Sequence, residues 1–321
     1  MTAPLDVDTA AATEPAVSGT QGGIPVEGRS LGQIAWMRFK RDKVAVAGGI
    51  FVLLLALIAI FHTFLAPHDP AALNTNLLDN NLGGVPKGAR SGMSGDHWLG
   101  IEPTLGRDIL SRIIYGAWIS LLIAIPATML SVVLGAIAGV TAGYMGGAVD
   151  TAINWVMNVL LAFPVLVFSI ALIAVIENVN RLILLIVVIG FFGWPYIGRI
   201  IRGQTLSLRE REFVDAARSL GAGNAHIIFK QLMPNLFAPL LVYTTLIIPT
   251  NILQEAALSY LGVGVQVPTS SWGQMLSNAV QWTEIDPFYM LVPGTALFLT
   301  VLAFNLMGDG LRDALDPRAG R

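Results

Sequence analysis

Hydrophobic residues gather in six long runs, at roughly 44–65, 116–139, 152–176, 182–198, 236–260 and 288–306. A hydrocarbon layer ~30 Å thick needs about 17–25 apolar residues per helical crossing, so each run is long enough to span it. Lipid offers no partner to a free N–H or C=O, which makes the runs helices. The first, VAVAGGIFVLLLALIAIF, has no proline and almost no polar side chain. Every later run carries proline: Pro126, Pro164, Pro195, Pro239 with Pro249, and Pro293. Polar residues divide the same way, with Asn154, Asn158, Asn251, Gln254, Glu255 and Asn305 all in the later runs. Freed backbone groups and buried amides need neighbouring helices to satisfy them. The pattern therefore predicts an all-α polytopic membrane protein with six transmembrane helices. Five form a core around a polar pathway, and the first is braced outside it. The six polar residues are the candidates for that pathway, with ordinary interhelical hydrogen bonding as the alternative for each. Glu255, the one acidic group deep in a span, has two readings, a site for a coupling proton or cation and a packing residue.

Charge then orients the spans. Arg29, Arg38, Lys40, Arg41, Lys43, Arg199, Arg202, Arg209, Arg211, Arg218, Lys230, Arg312, Arg318 and Arg321 fall on one side. Lys87, Arg90, Arg107, Arg112 and Arg181 fall on the other. Basic residues concentrate in cytoplasmic segments, so both termini are predicted inside. The bulk numbers agree with a lipid solvent: 54% hydrophobic and 12% charged residues over 321 positions, against about 25% charged in soluble domains. A net charge of −2 argues against nucleic-acid binding. There is no cysteine, which excludes thiol catalysis and thiolate metal sites. The alanine- and glycine-rich opening residues lack the basic and apolar regions of a secretory signal. The expected organisation is a disordered cytoplasmic tail over 1–30, then a juxtamembrane helix, the first span and a long outer loop over 31–115. A five-helix core over 116–321 follows, with a cytoplasmic loop at 200–235.

That loop contains EFVDAARSLGAGNAHIIFKQLMPN, a charged and glycine-broken stretch between two apolar runs. Phe213, Ala216, Ala217 and Leu220 recur at helical spacing as one narrow stripe of small and apolar groups. Arg211, Glu212, Asp215 and Arg218 occupy the other faces. Gly221 stands where a left-handed cap ends a helix. Asn224 is placed to cap a second short helix, which Pro234 closes. The prediction is a helix–turn–helix at the cytoplasmic surface, with an amphipathic loop lying on the headgroups as the plainer alternative. Elsewhere chemistry is sparse. His62, His68, His97 and His226 show no ligand spacing, so no metal site is expected from them. GMSG at Gly92–Gly95 has no partner histidine on a later span. No GxxxxGK[ST] occurs, so any ATP must be bound by another subunit.

Asp215-Ala216-Ala217-x₃-Gly221, followed by Pro234, resembles the EAA-x₃-G-x₉-I-x-L-P motif of ABC importer permeases. The chain departs from it with Asp215 for Glu, Gln231 for Ile and Met233 for Leu. A literal EAA at Glu255–Ala257 lies inside an apolar run and lacks the spaced glycine. LGRDILSRIIYGAWISL (Leu105–Leu121), LLAFP (Leu160–Pro164), EAALSYLGVGVQVPTSSWGQML (Glu255–Leu276) and LTVLAFNLMGDGLRDALDP (Leu299–Pro317) are similar to the dipeptide, oligopeptide and nickel branch, the dipeptide permease C subunit above all. The resemblance covers nearly everything from about residue 96 onward. Trp118 departs from it, since relatives often carry a charged residue there.

The resemblance implies a type I ABC importer permease fold in a bacterial inner membrane. A homologous permease would complete a heterodimer, two cytoplasmic ATPase subunits or domains would bind ATP and Mg, and an extracytoplasmic binding protein would deliver cargo. Residues 66–115 and the Trp272 segment would meet that binding protein. Phe213, Asp215, Ala216, Ala217, Arg218, Leu220, Gly221, Ala222 and Gly223 would form the helix that docks on the ATPase. No cofactor is expected on this chain, and no catalytic residue. Peptide is the favoured cargo, with nickel chelates, haem and antibiotics left open. An ion-coupled carrier would instead show paired ionisable residues at mid-membrane and an internal repeat; a membrane enzyme would show a catalytic constellation.

Overall fold

A computed structural model describes residues 31–176 and 178–315. The tail predicted over 1–30 lies outside the described residues, as do Arg29, Arg318 and Arg321. Helix α1 (Leu31–Arg41) carries its bases in the last turn, where Lys40 sits over the Trp36 ring. Asp42 then accepts from the N–H groups of Val44 and Ala45 and so caps α2 (Lys43–Ile60), the first span. A short α3 (His62–Leu65) leads into the outer connection. That connection holds an antiparallel pair, β1 (Leu78–Asp79) and β2 (Val85–Pro86), with Leu78 opposite Pro86.

The core follows. Helices α4 (Ile109–Met145), α5 (Gly147–Ala162), α6 (Val165–Val175) and α7 (Arg181–Arg209) precede the cytoplasmic α8 (Glu212–Ser219). A continuous helical stretch then runs through α9 (Asn224–His226), a π-helical turn (Ile227–Leu232) and α10 (Met233–Tyr260). The outer α11 (Trp272–Ala279) and the last span α12 (Pro287–Leu315) complete it. Among the described residues five helices are each long and apolar enough to cross a membrane, and α5 with α6, bent by 85° at the break between them, makes a sixth when the pair is counted as one span. Helix α2 lies mainly against α12 and less against α4.

Three expectations change. The run at 152–176 is not one straight helix, because Pro164 forces Phe163 into extended backbone and breaks it there. The prolines in α4, α7, α10 and α12 stay within continuous helices. Pro234 does not close a helix; it occupies the first turn of α10. Proline removes one backbone hydrogen bond and crowds the carbonyl four residues back, and the wider π turn before it absorbs that crowding. Nor does Asn224 cap: its Oδ1 accepts from the Tyr144 hydroxyl at 3.2 Å, and the cap position belongs to Gly223. Helix ends also run further than hydropathy suggested, as with α7, which continues through RIIRGQTLSLR into the cytoplasm.

The α4–α7 pair is the most extensive in the fold. Gly135, Gly139 and Gly143 repeat every fourth residue on α4 and face α7. A Cβ on Gly139 would lie 2.6 Å from the Gly198 carbonyl oxygen, and one on Gly143 would lie 2.7 Å from Thr205 Cβ. Without a hydrophobic drive between helices in lipid, such close backbone approach supplies the packing energy.

Gly139→Leu is therefore expected to force the pair apart, costing about 1–3 kcal/mol by overpacking. Thermal unfolding in detergent should show a lowered midpoint, whereas Gly203→Leu, where a Cβ meets nothing within 4 Å, should leave it near wild type. Orientation is checked by single cysteines in this cysteine-free chain. An impermeant thiol reagent on intact cells is expected to label exposed Asn81→Cys and spare exposed Ser219→Cys.

Candidate functional site

Helix α8 is eight residues long and cannot hold itself together in isolation, so its support comes from packing. Val214 is fully buried and Ala217 is 8% exposed. Both enter a cluster with Ala136, Val140 and Tyr144 of α4, Ile197 and Ile201 of α7, and Leu236 and Leu240 of α10. Helix α8 lies chiefly on the π-helical turn and on α7, and the cluster continues from there to α4 and α10. The opposite face of α8 is open: Phe213 and Ala216 are exposed and Leu220 is 88% exposed. These side chains, with Gly221, Ala222, Gly223, His226 and Gln231, border an open hollow of about 510 Å³.

The predicted stripe therefore divides. Phe213, Ala216 and Leu220 are exposed, while Ala217 is buried in the cluster beneath and reaches only the floor of the hollow. Asp215 and Arg218 pair at 3.2 Å on the surface, and the Arg218 guanidinium lies 5.5 Å from the centre of the Tyr144 ring. Gly221 is left-handed, with φ of +81°. Its N–H donates to Arg218 and that of Ala222 to Ala217, the paired bonds of a Schellman cap. A Cβ on Gly221 would touch nothing within 4 Å, so backbone conformation alone selects glycine there.

Beneath α8 the inner ends of the spans are tied. Arg202 of α7 grips Asp150 of α5 through two hydrogen bonds, Nε to Oδ1 at 2.6 Å and Nη2 to Oδ2 at 2.7 Å. Arg209 donates to the Gly143 carbonyl at the end of α4. Neither Tyr144 nor the Asp150–Arg202 fork was visible from the sequence; the four-residue glycine repeat was there to be read.

The six polar residues in the spans differ in their surroundings. Asn251 and Glu255 are closed off between α10 and α4. Asn251 donates to Thr128 at 2.8 Å, while Glu255 accepts from Ser120 at 2.9 Å and Ser259 at 2.7 Å. That geometry serves interhelical packing and leaves neither side chain open to a pathway within this chain. Gln254 is half-buried, and Asn154 donates back to Asp150 within α5. Asn158, bonded to Arg199, and Asn305 are the exposed pair.

On the outer side, the long loop is ordered and packed. Glu102 meets Arg107, Arg112 and the Tyr289 hydroxyl, and Arg112 donates to Gln274 of α11 at 2.8 Å. Ser91 donates to Asp286 at 2.6 Å. Trp272 is 1% exposed and donates to the Ile113 carbonyl, so it belongs to the interior and not to a docking surface. Trp98, by contrast, is exposed on this face.

Residues 131–321 match the family described as binding-protein-dependent transport system inner membrane component, and 30–83 match the N-terminal TM domain of oligopeptide transport permease C. The glutathione transport system permease proteins GsiD of Salmonella paratyphi A and Salmonella typhimurium are 44% identical over 283 residues, covering 88% of this chain and 89% of each relative. The protein of that name from Escherichia coli O157:H7 is 40% identical over 284 residues, with the same coverage. The chain belongs to the binding-protein-dependent permease family. It is a multi-pass inner-membrane subunit of an ABC importer.

Ala217→Glu would push a carboxylate into the core under α8, where an unpaired buried charge costs several kcal/mol. Membrane abundance and thermal midpoint are expected to fall. Leu220→Glu, on the open face, should leave both unchanged. Gly221→Val should cost about 1–2 kcal/mol through backbone strain, seen as a smaller midpoint shift than that of Ala217→Glu.

Proposed function

We propose that this chain forms half of the translocation pathway of a peptide importer, and that α8 receives the closing motion of partner ATPases. The supporting observation is the mounting of α8: an outward apolar face on a helix whose inner face is buried in a cluster shared by α4, α7 and α10. A push on Phe213, Ala216 and Leu220 passes through Val214 and Ala217 into the π-helical turn and α7, and through the shared cluster to α4 and α10. ATP and Mg belong to the partner subunits in this reading. A homologous permease supplies the other half of the pathway, and a binding protein delivers cargo to the ordered outer cap. Transport is then a shift between inward- and outward-facing populations.

The cargo class is short peptides. Relatives at 40–44% identity are named for glutathione, itself a short peptide. Exposed amides at Asn158 and Asn305 offer donors and acceptors suited to a peptide backbone. An ion-coupled carrier has less support, since Glu255 is sealed against Ser120 and Ser259.

The test uses the assembled transporter with its binding protein in proteoliposomes. ATP-dependent uptake of labelled glutathione is expected to persist when ionophores collapse the ion gradients, and unlabelled dipeptides should compete. Leu220→Glu should abolish uptake and reduce ATPase co-purification at normal membrane abundance. Uptake that stops with the ion gradient while ATP remains, or normal uptake by Leu220→Glu, would overturn the reading.

A further inference from the structure

The outer loop brings together three residues that sequence spacing kept apart. His68 follows the first span, His97 lies in the middle of the loop, and Asp108 caps α4. His97 Nδ1 lies 2.8 Å from Asp108 Oδ1, and His68 Nδ1 lies 3.8 Å from the same oxygen. One ligand atom from each residue falls within 4.8 Å of the others. Asp108 and His97 are buried, at 1% and 6% exposure. The two imidazole rings lean together with centres 4.6 Å apart.

The surroundings hold this group in place. Asp108 Oδ2 is occupied by the Ser111 N–H at 2.7 Å, which leaves Oδ1 turned toward both histidines. The His68 N–H donates to the Ser111 hydroxyl, and the His97 N–H donates to that of Ser94. The His68 Nδ1 atom is shut away from solvent and has no hydrogen-bond partner. A buried nitrogen left unpaired is unfavourable, and here it is aimed at a carboxylate oxygen that already holds a second imidazole.

We propose that His68, His97 and Asp108 form a zinc-class divalent metal site that staples the outer loop to the start of α4. Metal–ligand bonds of ~2.0–2.1 Å in a tetrahedron set ligand atoms roughly 3.3 Å apart. The two nitrogen–oxygen separations, 2.8 Å and 3.8 Å, bracket that value, and with all three ligand atoms within 4.8 Å of one another side-chain rotation would have to draw them together around an ion. Two imidazole nitrogens and one carboxylate oxygen suit zinc and its neighbours, whereas magnesium and calcium require oxygen ligands. His97 would coordinate through Nδ1 as the neutral ring with its proton on Nε2. The fourth position is open to water. The site stands apart from α8 and does not depend on the cargo.

The experiment uses the full chain carrying a histidine-free tag, purified in detergent, stripped by chelator and dialysed. Zinc content by atomic emission and affinity by competition with a chromophoric chelator are the readouts, together with the thermal midpoint. One zinc per chain is expected, raising the midpoint and unmoved by millimolar magnesium. His62→Ala and His226→Ala should bind as wild type does. His68→Phe keeps the ring that leans on His97 but removes the nitrogen. Loss of a group that merely supports a ligand weakens metal by about 10–100-fold, and this variant should lose at least that much, along with the midpoint rise. An unaltered midpoint for metal-free His68→Phe would show that it folds; His68→Ala gives a second variant should it fall. Wild-type protein that retains no stoichiometric zinc, or zinc held equally well by both His68 variants, would overturn the site.

Discussion

The close approach of α4 and α7 is the constraint on which the other contacts depend. Lipid tails compete on equal terms with leucine, so two helices pair firmly only where their backbones can come near enough for dense van der Waals contact. Gly135, Gly139 and Gly143 permit that approach along two turns, against Trp194, Ile197, Gly198, Ile201 and Thr205. Once α4 and α7 lie together, their inner ends present Val140, Tyr144 and Ile201 as a bed for α8. Asp150 is brought under Arg202 at the same end. The α10 contribution, through Leu236 and Leu240, closes the cluster from the third side.

The spans were legible because length and hydropathy answer directly to bilayer thickness. Their ends were not, because α4, α7 and α12 continue past the hydrocarbon, where propensity and local pairing take over. Arg112 illustrates this: a base inside an early turn argues for an end, yet it pairs with Glu102 at 3.3 Å and donates from Nη2 to Gln274, and the helix starts before it. The cap at Gly221 was readable since its requirement is local backbone conformation. The facing of Ala217 was not. Alanine contributes little transfer energy to either side, so a stripe containing it fits the inner face with Val214 as well as the outer face with Phe213. The break at Pro164 shows the same limit, for five other prolines sit within unbroken helices, and only the extended neighbour Phe163 distinguishes this one.

Polar groups in the spans also separate into two uses. Glu255 accepts from Ser120 and Asn251 donates to Thr128, two bonds that fix the rotation of α10 against α4, while Ser259 occupies the second Glu255 oxygen from within α10. Asn158 and Asn305 look outward from the chain. An amide facing pure hydrocarbon is costly, which argues for protein or water against those faces. The outer cap follows the first pattern: Glu102, Arg107, Arg112 and Tyr289 join loop, α4 and α12 in one buried network.

The continuous helical stretch from Asn224 to Tyr260 is 37 residues long. At 1.5 Å per residue it measures at most about 55 Å, nearly twice a ~30 Å hydrocarbon layer. Its cytoplasmic end therefore projects beyond the membrane as a stalk beside α8. A rod of that length converts small angles into long strokes: a tilt of about 5° about one end carries the other through roughly 5 Å. A modest rocking of α10 within the bilayer and a sizeable displacement at the cytoplasmic tip are then one motion seen at two radii.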